Sequence, residues 1–327
     1  MPDILYPAAL IFGFIALIVG ANIFVDGSSF IAKKLRIPPL IIGLTVVALG
    51  TSAPELAVSV TSAIKGANEL AYSNVAGSNI FNLLAVLGVC ALISPLPVSK
   101  AVTKRDIPVL IGVSAALVLA ICGARLSDAF SGRMSSIAGT LSRAIGLFLL
   151  VGFIIYMLFL VRDAVKRKDP GNLNIKPGLS PAKSVIFILA GVALIIGGGQ
   201  AVVYGARKIA SSFGISETLV GLTVVALGTS LPELVTSIVA ALKGETELAV
   251  GNAVGSSILN LMLILGVSAI IRPIEVNLAS IYDTIVMFIA GVLTLIFALT
   301  KGRIRRGEGA LMVLCYIASL VFAFARG

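Results

Sequence analysis

Two segments of the chain repeat each other at a constant spacing of 178 residues, and this duplication constrains the fold most. Residues 43–55 read GLTVVALGTSAPE, and residues 221–233 read GLTVVALGTSLPE. Aligned at that spacing, residues 43–66 and 221–244 agree at 17 of 24 positions, and residues 69–88 and 247–266 agree at 11 of 20. The two halves are therefore expected to share one architecture, and two copies are too few for a solenoid of short repeats.

The composition places both halves in a lipid bilayer. Mean hydropathy is +1.09 and 12% of the residues are charged, whereas soluble domains carry about 25%. A helix of about 20 apolar residues crosses a bilayer, and the N-terminal run lacks the basic region of a signal peptide. We therefore predict an all-α membrane protein with ten transmembrane helices, near residues 5–26, 38–64, 70–94, 106–124, 144–161, 184–206, 215–242, 248–270, 282–300 and 308–325.

The polar segment RDAVKRKDPGNLNIKPGLSPAK (162–183) divides the predicted helices five and five. Because five is odd, the second copy must enter the membrane from the opposite side. We therefore predict two inverted five-helix repeats, residues 1–161 and 184–327, joined by the connector 162–183. Transporters with inverted repeats bind their substrate near the bilayer midplane, on helices broken at matching points.

Basic residues predict the orientation. Alternate loops hold 17 Lys and Arg on one side and 8 on the other, and these residues accumulate in cytoplasmic loops. We expect a multi-pass protein of the plasma (inner) membrane, with its N-terminus outside and the connector 162–183 in the cytoplasm. The same rule accounts for the formal net charge of +10 without a nucleic-acid partner, and no obligate protein partner is predicted beyond the lipid bilayer.

Two residue types limit the chemistry. The chain contains no histidine, and Cys90, Cys122 and Cys315 are widely separated without a CxxC spacing. Neither a disulfide framework nor a zinc site is therefore predicted, and the commonest general base and transition-metal ligand is missing. An intramembrane enzyme is the least favoured function, and no catalytic residue or cofactor is expected.

Each repeated segment ends on a glutamate, Glu55 or Glu233, near the middle of an apolar span. An ionised side chain at that depth costs at least about 2.5–3.5 kcal/mol, so it is expected to face a partner or a watery cavity. Ser52 and Glu55 have capping-box spacing, and Pro54 suits a first helical turn, so a helix should begin inside the membrane. A structural helix break is the alternative, but the repetition favours a cation site.

The second repeated element reads NVAGSNIFN (74–82) and NAVGSSILN (252–260), and places Ser and Asn four residues apart on one helix face. Alone, these residues are as typical of hydrogen bonding between helices. Beside two glutamates they complete a set of oxygen donors, which suits Ca²⁺ with its six to eight oxygen ligands and also Na⁺. The hydroxyl and amide donors are Thr51, Ser52, Ser78, Thr229, Ser230, Ser256, Asn82 and Asn260.

The GTSxPE and GSxxxN motifs in both halves resemble the cation/calcium exchanger superfamily, particularly its prokaryotic sodium/calcium exchangers, over essentially the whole chain. The resemblance implies that the second, third, seventh and eighth helices form the ion site. It also implies that Glu55 and Glu233 are the main calcium ligands, that the listed hydroxyls line sodium sites, and that backbone carbonyls near Ala48 and Ala226 contribute.

The chain departs from the family pattern at one position. Some members carry an aspartate at the position of Asn260, so this site has two ionisable groups where those members have three. Sodium stoichiometry and proton coupling therefore stay open. The segment between the halves also lacks the large regulatory calcium-binding domain of the animal members.

We accordingly expect antiport of Ca²⁺ against Na⁺, with both ions competing for one midplane site. The first and sixth helices would move against the remaining helices and expose the site to each side in turn. A Ca²⁺/H⁺ exchanger of the same fold is the nearest alternative, and a passive cation channel is the next.

Overall fold

The computed structural model describes residues 2–122, 139–166, 179–213 and 226–326. Three parts of the predicted organisation therefore lie outside the described residues. They are residues 167–178 of the connector, the end of the fourth predicted span, and the start of the seventh, which includes residues 221–225 of the second repeated segment.

The first half contains eight described α-helices, two short strands and three π-helical turns. The helices are α1 (Pro2–Leu35), α2 (Pro39–Ile42), α3 (Ala48–Thr51), α4 (Ala53–Lys65), α5 (Asn68–Ile80), α6 (Leu87–Ile93), α7 (Ile107–Cys122) and α8 (Arg143–Lys166). The π-helical turns are π1 (Gly43–Val47), π2 (Phe81–Val86) and π3 (Val102–Asp106), and the strands are β1 (Leu96–Pro97) and β2 (Gly139–Leu141).

The described part of the second half contains seven α-helices, two strands and one π-helical turn. The helices are α9 (Pro181–Ser212), α10 (Ala226–Thr229), α11 (Leu231–Leu242), α12 (Thr246–Leu259), α13 (Leu265–Ile271), α14 (Leu278–Leu299) and α15 (Arg306–Arg326). The π-helical turn is π4 (Asn260–Ile264), and the strands are β3 (Ile274–Val276) and β4 (Arg303–Ile304).

The helices confirm an all-α membrane protein. Within the described ranges, seven helical segments are long and apolar enough to cross a bilayer, or eight if the bent pair Pro39–Thr51 and Ala53–Lys65 is one span. Two further apolar helices are shorter: α7 has 16 residues and α11 has 12. The expected count of ten spans is therefore not confirmed by helix length alone and stays a prediction.

The helix break predicted from the repeated segment is present in both halves. The chain bends by 51° between α3 and α4, where Ser52 leaves helical geometry with φ −83° and ψ 8°. The equivalent Ser230, with φ −92° and ψ 0°, separates α10 from α11. Proline follows each serine by two residues, in the first turn of the new helix, where its missing N–H costs nothing.

The central helices are the two spans that carry the second repeated element. The spans Glu69–Ile93 and Thr246–Ile271 are each 78% buried, whereas the other spans that cross as single helices are 11–39% buried. Side chains from π2 and π4 continue this buried region. The helices bearing the GSxxxN motifs therefore form the core of the bundle.

The long helices α1 and α9 pack against each other antiparallel through small residues. A Cβ added at Gly13 would lie 2.7 Å from the Gly198 carbonyl oxygen, so the two backbones touch. The contacts recur every seven residues and pair Gly13 with Gly198, Gly20 with Gly191, and Gly27 with Ser184. Since α1 and α9 are equivalent in the two repeats, equivalent helices run in opposite directions.

The end of α1 is also tied to the turn between α11 and α12 by charged groups. Lys33 Nζ lies 2.7 Å from Glu245 Oε1, and Ser29 Oγ donates to the same oxygen at 2.6 Å. Lys243 Nζ lies 2.9 Å from Asp26 Oδ1. We refer to these four charged residues as the α1 ion pairs.

The strands join one half of the chain to the other. β1 pairs antiparallel with β4, and β2 pairs antiparallel with β3. Two arginines repeat this exchange, because Arg143 Nε donates to the Ile270 carbonyl at 3.1 Å and Arg306 Nη2 donates to the Ile93 carbonyl at 3.3 Å. The two halves are thus interleaved.

A buried ionic cluster links π3 to α8. Arg105 Nε donates to Asp106 Oδ1 at 2.6 Å, and Arg105 Nη1 donates to Asp163 Oδ2 at 2.8 Å. Tyr156 OH donates to Asp106 Oδ1 at 2.9 Å. Asp106 is fully buried, and these bonds offset the cost of burying its charge, which supports a structural role.

The Tyr156→Phe variant is expected to be less stable but to transport normally. A hydrogen bond to a charged group contributes about 1.5–3 kcal/mol, so thermal unfolding in detergent should begin at a lower temperature. The chain has no tryptophan, but Cys90 is fully buried and reports unfolding through a thiol-reactive fluorescent dye. Tyr316→Phe removes a hydroxyl that is not bonded to Asp106 and is the control. Equal unfolding temperatures would contradict the structural role.

Candidate cation-binding site

Two buried carboxylates define the site. Glu55 lies in the first turn of α4 and Glu233 in the first turn of α11, and both residues are fully buried. Each therefore sits at the positive end of a helix dipole, which stabilises negative charge. The broken helices place both carboxylates inside the bundle.

Hydrogen bonds across the two halves join these carboxylates into one cluster. Ser52 Oγ donates to Glu233 Oε1 at 2.7 Å, and Ser230 Oγ donates to Glu55 Oε1 at 3.0 Å. Each serine that precedes one glutamate is thus bonded to the other. We call this arrangement the crossed Ser–Glu pairs.

The crossed pairs correct the expected capping box. Ser52 and Ser230 do occupy the N-cap positions of α4 and α11, as the sequence predicts. Neither hydroxyl makes a capping hydrogen bond to its own helix, because each is directed to the carboxylate of the opposite half. The predicted helix start is right, and the predicted hydrogen bonds are wrong.

The other predicted serines complete the hydroxyl set around the carboxylates. Ser78 Oγ lies 2.9 Å from Ser230 Oγ, and Ser256 Oγ donates to Glu233 Oε1 at 3.5 Å. Both come from the central helices α5 and α12. The serines of the two repeated elements therefore meet at the same carboxylates.

The two threonines also bond across the halves. Thr51 Oγ1 donates to Asn252 Oδ1 at 3.0 Å, and Thr229 Oγ1 lies 3.4 Å from Asn74 Oδ1. The Ala48 carbonyl oxygen is 3.3 Å from Thr51 Oγ1, and it accepts the amide of the N-cap residue of α4. The equivalent Ala226 is the first residue of α10.

Sequence analysis left out a set of residues that support the glutamate backbone. Asn74 Nδ2 donates to Ser59 Oγ at 2.9 Å and to the Glu55 carbonyl oxygen at 3.3 Å. The second half repeats both bonds at the same lengths, from Asn252 to Ser237 and Glu233. Their repetition at the spacing of 178 residues was the signal that could have identified them.

Asn82 and Asn260, the two predicted amide ligands, are fully buried at the π-helical turns π2 and π4. Neither Asn82 Oδ1 nor Nδ2 has a hydrogen-bond partner. Asn260 Nδ2 donates to Asn79 Oδ1 at 3.1 Å, while Asn260 Oδ1 has no partner. No hydrogen bond among the described residues joins either asparagine to a glutamate. π-Helical turns inside α-helices frequently occur at functional sites.

Four predicted ligands retain a buried oxygen without a hydrogen bond from any described residue. Almost all buried polar atoms in folded proteins have a partner, so these acceptors require a separate explanation. Within the described ranges, no group of three or more His, Cys, Asp or Glu side chains is placed to hold a metal ion. The oxygen set suits a hard cation such as Ca²⁺ or Na⁺. The four oxygens are Glu55 Oε2, Glu233 Oε2, Asn82 Oδ1 and Asn260 Oδ1.

Known proteins share this sequence and fold. The chain is 34% identical over 341 residues to the sodium/calcium exchanger MaX1 of Methanosarcina acetivorans, covering 96% of this chain and 97% of that protein. It is 36% identical over 338 residues to the inner membrane protein YrbG of Escherichia coli, covering 98% and 97%.

A solved structure of the sodium-calcium exchanger NCX_Mj, soaked with 10 mM Na⁺ and zero Ca²⁺, superposes with a TM-score of 0.83 at 31% identity, over 98% of this chain and 99% of that one. The sequence model of the family described as "Sodium/calcium exchanger protein" matches residues 5–162 and 183–325. The chain therefore belongs to the sodium/calcium exchanger family.

Proposed function

We propose that this protein is a secondary active antiporter that exchanges Ca²⁺ for Na⁺ at the crossed Ser–Glu pairs. The observation that carries the proposal is the pair of fully buried carboxylates, Glu55 and Glu233, each with one oxygen that no described group satisfies. Membership of a cation exchanger family supports the same conclusion.

The charge and the ligand types of the site favour this ion pair. Two carboxylates neutralise one Ca²⁺, and the nearby hydroxyl and amide oxygens bring the available ligands to the six to eight that Ca²⁺ takes. Hydroxyl groups rotate without moving the backbone, so the same serines and threonines can turn their oxygens towards Na⁺. Competition between the two ions for Glu55 and Glu233 would couple their movements.

The packing supports alternating access between two inverted repeats of five helices, residues 1–161 and 184–327. Equivalent helices α1 and α9 run antiparallel, as an inverted repeat requires. They contact each other through glycine, and the central helices carry the site residues. In this mechanism α1 and α9 move together against the central helices, and the site opens to each side in turn.

We further propose the plasma (inner) membrane as its location, with the N-terminus outside and the connector 162–183 in the cytoplasm. The excess of Lys and Arg in the loops on that side supports this orientation. The Escherichia coli relative is named as an inner membrane protein. In this orientation the α1 ion pairs lie on the cytoplasmic side.

The coupling ion can be identified in proteoliposomes. An outward Na⁺ gradient with a protonophore present is expected to drive saturable Ca²⁺ uptake, whereas a pH gradient without Na⁺ is not. Uptake that follows only the pH gradient would instead identify a Ca²⁺/H⁺ exchanger, in which the glutamates carry protons. Uptake that needs no counter-ion and does not saturate would identify a channel.

A further inference from the structure

The fully buried Asn79 is an asparagine of α5 that the exchange mechanism above does not use. Its Nδ2 donates to the Ser257 carbonyl oxygen at 3.1 Å and lies 3.4 Å from Met287 Sδ. A carbonyl oxygen only accepts hydrogen bonds. The end of the Asn79 amide that faces Ser257 must therefore be the NH₂ group.

This orientation determines the next amide in the chain of hydrogen bonds. With its NH₂ turned to Ser257, Asn79 presents Oδ1 to Asn260, which must answer with a donor. Asn260 Nδ2 does donate to Asn79 Oδ1 at 3.1 Å. The remaining atom, Asn260 Oδ1, is buried and has no hydrogen-bond partner among the described residues.

We propose that Asn79 is a positioning residue that orients the Asn260 amide so that its oxygen, and not its NH₂ group, is presented to the transported cation. The proposal rests on the proposed function, because it assumes that Asn260 is an ion ligand. An amide that was free to flip would present NH₂, the positive end of its dipole, to the ion in part of the population. Asn79 thereby raises the affinity of the site for Ca²⁺ without touching the ion.

The same geometry explains why position 260 is an asparagine in this chain. An ionised aspartate has only acceptors, so an aspartate at this position would place an oxygen against Asn79 Oδ1, and neither group could donate. Asn79 therefore favours a neutral donor at position 260. It keeps the number of carboxylates in the site at two.

Asn79→Leu, which has a similar volume and no amide, tests the proposal. Outer partners of metal ligands typically contribute 10–100-fold in affinity, so the KM for Ca²⁺ should rise by about 10–100-fold while the maximal rate changes much less. Ser257→Ala is the matched control, because it removes a side chain but keeps the carbonyl that Asn79 uses. An unchanged KM in a folded Asn79→Leu protein would overturn the proposal.

A double variant separates positioning from a structural role. In Asn79→Leu combined with Asn260→Asp, either carboxylate oxygen can face the ion, so orientation no longer matters and Ca²⁺ affinity should recover. If affinity stayed as low as in Asn79→Leu, positioning would be refuted. Asn79→Ala serves in both backgrounds if the leucine variant does not fold, as judged by dye labelling of Cys90.

Direct binding measurements keep this proposal distinct from the proposed function. Calcium binding to purified wild type should be saturable and lost in Glu55→Gln. If Glu55→Gln binds Ca²⁺ normally, the proposed site fails and Asn79 has no ligand to position. If Glu55→Gln loses binding but Asn79→Leu does not, only the role of Asn79 is overturned.

Discussion

Replacing Glu55 or Glu233 with glutamine is expected to reduce Na⁺-driven Ca²⁺ uptake into proteoliposomes by at least about 100-fold. Outer partners of metal ligands alone typically contribute 10–100-fold, and a directly bound carboxylate should contribute more. Each substitution also leaves a single negative charge against a divalent cation, so the bound ion would no longer be neutralised. The side-chain volume hardly changes, which separates the loss of charge from a loss of packing.

The exposed Glu69 provides the matched control for the glutamine variants. Its carboxylate accepts a hydrogen bond from Asn277 at 3.0 Å, outside the crossed Ser–Glu pairs. Glu69→Gln should therefore transport at the wild-type rate. Full transport by both Glu55→Gln and Glu233→Gln would refute the assignment of the site.

Cross-linking α1 to the turn between α11 and α12 is expected to stop exchange almost completely. Lys33 and Glu245 form one of the α1 ion pairs, and cysteines at both positions can be joined by a short cleavable thiol reagent. The three native cysteines are first replaced. The cross-link would prevent α1 from moving against the central helices, and cleavage of the reagent should restore transport. Radioactive Ca²⁺ uptake before and after cleavage measures both effects.

A cross-link between α1 and α9 is the control, because those helices are proposed to move together. The rings of Tyr6 and Tyr204 lie with centroids 6.1 Å apart, so cysteines at these positions can be joined by the same reagent. Exchange should persist in this protein. Normal exchange with Lys33 and Glu245 joined would exclude movement of α1 against the central helices.

Local sequence patterns predicted local structure and failed to predict which groups pair. Pro54 and the preceding serine correctly located the start of α4, because both preferences act within one helical turn. The partner of the Ser52 hydroxyl is Glu233, 181 residues away. That pairing depends on how the two halves pack, which the capping-box spacing does not encode.

The repeat alignment contained more information about the site than was taken from it. Asn74 and Asn252 stand at equivalent positions, and each supports the backbone of the glutamate in its own half. Asn79 could not be found in this way, since its equivalent is Ser257 and the two residues bond to each other. Such an asymmetric contact becomes visible only when the halves are placed together.

The crossed Ser–Glu pairs also determine how this protein can be made in a cell. Ser230 lies 175 residues after Glu55 in the chain. At a synthesis rate of 5–20 residues per second, roughly 9–35 s pass between the two residues leaving the ribosome. During that interval Glu55 lacks the hydroxyl that binds it in the finished protein, and β1 lacks its partner strand. The first half is therefore an incomplete insertion intermediate, and its burial in the bilayer can be completed only after the second half has been translated.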